Sequence, residues 1–265
     1  VLLNEGMPAP DGVDVSEPVY GTPARWILPD MQEDAAIAGM TVVSPPEVLA
    51  THLLEVIRAN LARLLSLRGL RRLLDEYVNV SDPSRAESNR KLLDDMIPEK
   101  VPVDLLLSVL RLLLDERVSV RNLPLILEAI AEGRGLPSAE AICEHVRQKI
   151  GFQLVADLKR HDGTIPLIQI APEWEKTFVA YQVDGERGHR DVALPPEQFS
   201  RLSGLLAEKI NRATESGINA AIVTSTLRRR FVRTVLAAKG LSTPVLSYEE
   251  IGLEARPAIV GLVPQ

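Results

Sequence analysis

Two linked runs, EPVYGTPARWI at residues 17–27 and GMTVVSPPEVLATHL at residues 39–53, decide how the rest of the chain is read. Pro18, Gly21 and Pro23 are turn formers, and residues 24–28 behind them read as a strand. Residues 30–39 read as a short charged helix stopped at Gly39, and clustered β-branched residues mark 40–43 as a second strand. Pro45 and Pro46 then suit the first turn of an amphipathic helix, where the missing N–H groups have no intrahelical acceptor. Trp26 reads as a buried aromatic. Tyr20, beside Gly21, is open between core and exposed anchor, and Thr51 on the opening turn suits packing against a strand. Nothing in this stretch has the residue types of catalysis.

Working outward, apolar residues recur at i, i+3, i+4 spacing from Val48 to Leu61. Compact helices are expected at 64–77, 88–96 (ended before Pro98), 103–116 and 120–133, the last with a cap near Ser119. Another opens at Ser138, with Glu140 and Glu144 early and Arg147 and Lys149 late, as the helix dipole favours. After Gly151 the pattern changes. Strands are expected at 164–170, 219–224, 244–247 and 258–263, with helices at 173–181, 196–216 and 226–239 between them. The fold class is therefore α+β. It divides into a small mixed α/β part at 1–59, a helical module at 60–150 and a C-terminal α/β layer at 151–265.

Bulk properties narrow the function. The chain has 265 residues, 46% of them apolar and 25% charged, so it can bury a sizeable core. A net charge of −6 argues against nucleic acid as the main partner. The single cysteine, Cys143, rules out an intrachain disulfide framework. No run of 18 apolar residues is present to span a bilayer. The Pro/Gly-rich beginning at Val1 suggests a piece of a longer chain.

The usual chemistries find few residues. His52, His145, His161 and His189 lie in separate segments, and Cys143 and His145, two apart on a helix, face different ways, so no metal or other cofactor is expected. Phosphate loops and nucleophile elbows are missing, and Gly133–Gly135 is more simply a helix end. Adjacent acids at 94–95 and 249–250 read as solvated. Arg228, Arg229, Arg230 and Arg233 read as the solvated face of a helix with Leu227, Phe231, Val235 and Leu236 inward. An enzyme centred on the last layer needs convergent polar groups at the strands' carboxyl ends, and the sequence offers none. The helices at 103–116 and 120–133 leave one alternative, a helix-turn-helix DNA-binding regulator, although the second helix is mostly apolar and acidic.

Five motifs in order resemble the cytoplasmic domain of the FlhA/LcrD (FHIPEP) family of type III export-gate proteins, with the flagellar branch favoured. They are Glu17-Pro18 with Tyr20, Gly21, Pro23, Ala24, Trp26 and Ile27; Gly39, Thr41, Val42, Val43; Val48 with Ala50, Thr51, His52, Leu53; residues 118–132 with Glu144–Arg147; and 227–251. The resemblance implies a binding protein rather than an enzyme. It implies a hydrophobic docking dimple for export chaperone–substrate complexes, carried here by Glu17, Tyr20 and Thr51 with Val43 and Val48 on the floor. Glu17 stands where the family usually has Asp, and Tyr20 where it has Phe; both bear on which chaperone binds. Arg229 departs from the family's Pro, which bears on helix geometry. Further implied partners are an export ATPase complex, a sibling gate component and other copies in a homo-oligomeric ring of nine. The implied location is the cytoplasmic side of the bacterial inner membrane, reached through an N-terminal region that this sequence lacks.

Overall fold

The computed structural model describes residues 2, 10–18, 21–184, 190–252 and 255–265. Its chain forms two compact units, Val1–Leu64 and Leu65–Gln265.

In the first unit, β1 (Val13–Ser16) pairs antiparallel with β2 (Pro23–Trp26), Val13 opposite Trp26 and Val15 opposite Ala24. Helix α1 (Gln32–Ile37) follows, then α2 (Pro45–Leu64). Residues 40–43 do not form the expected strand. They run without regular secondary structure into α2, and Thr41 O accepts from Leu2 N at 3.0 Å. β-branched residues favour extension, but a ladder also needs a partner strand. Trp26 is 45% exposed, which corrects its reading as a core residue; the buried apolar residues here are Ala24, Ala35 and Met40. A two-stranded hairpin has no second layer to close over Trp26.

The second unit begins with α3 (Leu67–Val78), α4 (Pro83–Met96), α5 (Val103–Asp115), α6 (Leu123–Gly133) and α7 (Ala139–Lys149). Their stripes of Leu70, Leu106, Leu110, Leu113, Ile126, Leu127, Ile130 and Val146 close one core. Ser138 Oγ accepts from Ala141 N at 3.2 Å and caps α7, as expected. α4 starts five residues earlier than read, because Asp82 caps it and Pro83 takes its first turn. Asn122, rather than a residue near Ser119, precedes α6.

Next come α8 (Gly151–Ala156), β3 (Thr164–Ile170), α9 (Glu173–Ala180), the hairpin β4 (Gln182–Asp184) and β5 (Arg190–Val192), and α10 (Pro196–Glu215). The chain closes with β6 (Ala221–Thr224), α11 (Thr226–Ala238), β7 (Val245–Ser247), α12 (Tyr248–Ile251) and β8 (Arg256–Val263). The main sheet is parallel, in the order β7-β6-β3-β8. Strands β3, β6 and β7 are buried on both faces, as crossover helices require, whereas the edge strand β8 exposes Ile259 and Leu262. Ile168, Ile170, Ile222 and Val245 meet Trp174, Phe178, Leu202, Leu206 and Val232 on one side. Ile165, Leu167, Val223 and Leu246 meet Leu158 and partly buried Leu154 on the other.

Candidate functional site

The site lies within the first unit and follows from how its hairpin turns. Glu17 N donates to Thr22 O at 2.8 Å and Gly21 N to Glu17 O at 2.9 Å, with Gly21 at φ +70°, which a side chain would strain. At the hairpin's other end a Cβ on Gly12 would fall 2.1 Å from Trp26 O, so the strands meet this closely only with glycine there. On one hairpin face Arg25 pairs with Asp14 at 2.6 Å and donates to Pro10 O at 2.7 Å. By the period of two, Val13, Val15, Ala24 and Trp26 share the other face.

The start of α2 is fixed as firmly. Glu47 accepts from Ser44 N at 2.8 Å and Ser44 Oγ at 2.7 Å, and these bonds hold its carboxyl below the usual range. With that end set, Val48 and Thr51, three apart, share a helix face. An open pocket of about 270 Å³ results, lined by Leu2, Val15, Glu17, Pro18, Thr22, Ala24, Arg25, Trp26, Val43, Val48 and Thr51. Four of the five residues singled out from the sequence therefore meet in one place; Tyr20 lies outside the described residues. Val15, Ala24 and Trp26 were missed. The alternation of the hairpin would have found them, had 13–16 been read as a strand.

The wall is mostly apolar, with a carboxylate and a pinned guanidinium as polar groups. Such a pocket accepts an aliphatic or aromatic anchor and orients it by few hydrogen bonds. Residues 1–64 hold nine acidic and three basic residues, a net of −6 equal to that of the whole chain. The unit as a whole is therefore anionic.

Residues 2–256 match the FHIPEP family. The chain belongs to that family. It is 36% identical over 253 residues to the flagellar biosynthesis protein FlhA of Caulobacter vibrioides, covering 95% of this chain and 35% of that protein. The chain thus spans about a third of the length of such curated relatives. Its fold is similar to nonameric EPEC SctV-C, with a TM-score of 0.74 at 18% identity, covering 98% of this chain and 76% of that one. It is also similar to the Chlamydia pneumoniae CdsV protein solved with CdsO, at TM-score 0.73 and 20% identity, covering 91% and 68%.

Among the described residues no cluster of His, Cys, Asp and Glu has the makings of a metal site, and no helix is long and apolar enough to cross a membrane. Cys143 is buried, and burial, aided by Glu144, pushes its thiol up to about 12. α6 buries Leu123, Ile126, Leu127 and Ile130 and exposes Glu128 and Glu132, so it cannot enter a major groove and the helix-turn-helix alternative has no support.

The arginine cluster is corrected. Arg228 and Arg229 are 1% and 0% exposed, whereas Leu227, read as inward, is 54% exposed. Arg228 forks onto Glu175 at 2.6 and 2.9 Å, and Arg229 onto both Glu116 and Glu144. Glu250, read as solvated, is 2% exposed; it accepts from Arg147 Nε at 2.6 Å and closes a capping box with Ser247. Burial raises the Glu250 carboxyl. The strand order reverses between β3 and β8, and an open cleft at their carboxyl ends is lined by Glu173, Lys176, Thr177, Tyr181, Gln198 and Arg201 among others, so polar groups that the sequence was read as lacking do converge there.

Proposed function

We propose that this chain is the docking part of a flagellar protein-export gate and that it acts by binding rather than catalysis. The reading is carried by the pocket of the first unit, where Glu17, Val43, Val48 and Thr51 converge on a mostly apolar hole. Export chaperone–substrate complexes dock there by inserting an apolar side chain. Discrimination among chaperones helps order the secretion of their cargo. The FHIPEP membership and the flagellar names of its relatives support this reading.

On the same reading the chain works as one subunit of a ring, and the nonameric SctV-C relative supports that arrangement. An export ATPase complex and a sibling gate component are its further partners; the CdsV relative solved with CdsO supports a role in such contacts. The ring hangs on the cytoplasmic side of the bacterial inner membrane, joined to it by a part of the whole protein outside this sequence.

Titrating late-export chaperones onto the wild type and onto Val48→Asp and Thr51→Met tests the proposal. A buried anchor contributes about 2 kcal/mol or more, so each variant should bind at least ~30-fold more weakly with an unchanged melting temperature. Equal binding by all three proteins would sink the reading.

A further inference from the structure

One lining residue of the first-unit pocket belongs neither to the hairpin nor to α2. Leu2 forms an antiparallel bridge with Ala24, which on its other side pairs with Val15 in β1. Val15, Ala24 and Leu2 thus make one row across three backbones, and residues directly opposite each other in a ladder point to the same face. All three line the pocket. The row is large, small, large. Ala24, the middle member, is buried and carries only a methyl group, so it leaves a notch walled by the Val15 and Leu2 side chains. Val15 is held within β1, which pairs with β2 from Val13 to Ser16. Leu2 is partly buried, and its N–H also donates to Thr41 O at 3.0 Å. It therefore links the hairpin wall, with Ala24 and Trp26, to the run that brings Val43 to the pocket.

A mostly apolar hole has few polar groups with which to choose among anchors, so it chooses by size. A side chain too small leaves part of the wall uncovered, and one too large forces the wall apart. We infer that Leu2 is the specificity-determining residue of this pocket and sets the largest apolar side chain that a partner can insert. This role rests on the docking reading above and deepens it from an apolar anchor to an anchor of a given size. A smaller residue at position 2 opens the notch beside Ala24, and a two-ring side chain seats there. A larger one fills the notch and leaves room for aliphatic anchors alone. Were Leu2 only a staple between the two walls, its loss would weaken every anchor alike. Size selection instead moves large and small anchors in opposite directions.

The test titrates two probes, N-acetyl-leucinamide and N-acetyl-tryptophanamide, onto the full 265-residue chain and follows them by NMR chemical shifts. The quantity read is the ratio of their affinities. Leu2→Ala should move that ratio about tenfold toward the tryptophan probe, and Leu2→Phe about tenfold toward the leucine probe. Leu2→Ile, which keeps the volume, should leave the ratio at its wild-type value. Every variant retains the N–H of residue 2, so the bond to Thr41 O survives. An unchanged ratio in Leu2→Ala and Leu2→Phe, a parallel loss of both probes, or no measurable uptake of either probe by the wild type overturns the inference. Val48→Asp separates this role from the docking reading. Loss of both probes with chaperone affinity intact in that variant sinks docking and leaves size selection standing. Loss of chaperone in Val48→Asp, with a fixed probe ratio across the Leu2 variants, sinks the role of Leu2 alone.

Discussion

Arg229 and Glu116 face each other as a two-bonded fork, Nη1 at 2.5 Å and Nη2 at 2.8 Å from the two carboxylate oxygens. The second side of the same guanidinium meets Glu144, and Glu116 also lies 3.3 Å from Arg147. The helical module and the α/β layer are thus joined by buried charge as well as by apolar contact. Removing Arg229 leaves Glu144 without its arginine and Glu116 with Arg147 alone, in a largely buried site. Arg229→Ala should lose about 3–5 kcal/mol in urea unfolding. Arg229→Lys should fall between that and the wild type, since an ammonium cannot fork onto two carboxylates. A loss under about 0.5 kcal/mol in Arg229→Ala would show the network to be energetically idle.

The acid limb of stability follows from the same contact. Burial opposes the charged form of Glu116, but hydrogen bonding to Arg229 and the charges of Arg147, Arg229 and Arg233 outweigh it and hold the carboxyl below its ordinary value. A carboxyl depressed on folding contributes stability that is present above its unfolded pKa and lost as pH falls through the folded one. The wild type should therefore weaken below about pH 4.3. Glu116→Gln should be less stable at neutral pH and show a flatter acid limb. Parallel stability–pH curves for the two proteins would contradict this. Glu250 works in the opposite sense: burial raises its carboxyl, so its contribution is present at low pH and lost as pH rises through the folded value.

Most of the second unit could be read from local pattern, because its helices repeat at 3.6 and strands β3, β6 and β7 are short apolar runs buried on both faces. Ser138 and Asp82 acted as caps, one read in advance and one missed. The inward arginines were not legible. Helical periodicity ranks arginine as solvent-facing, and the carboxylate that reverses this for Arg229 lies 113 residues away. Trp26 failed for a related reason. Its residue type favours burial, yet a two-stranded hairpin supplies no covering layer, and the side chain becomes pocket wall instead. Four residues of the pocket were found only because the family resemblance pairs a turn with a helix some thirty residues on.

Close backbone approach at Gly151 gives a sharper stability test. A Cβ built there would lie 2.3 Å from Glu250 O and 3.0 Å from Glu250 C, both main-chain atoms of α12. Main chain cannot rotate aside as a side chain can, so α8 and α12 must separate. Gly151→Ala should lower stability by about 1–3 kcal/mol despite its better helix propensity. An unchanged melting temperature would mean that α8 and α12 shift apart without loss.

Trp26 separates binding from folding in the first unit. It lines the pocket, and with 45% of its surface exposed it adds little to the core. Aromatic rings half-covered at a pocket edge are frequent anchors for a partner's side chain. Trp26→Ala should therefore change the melting temperature by less than about 2 °C. The same variant should lose about 2 kcal/mol of chaperone binding, a fall of ~30-fold by calorimetry. Trp26→Phe, which keeps an aromatic face, should recover most of that loss. A large melting shift in Trp26→Ala with chaperone affinity intact would return Trp26 to a purely structural role and leave the anchoring to Val43, Val48 and Thr51.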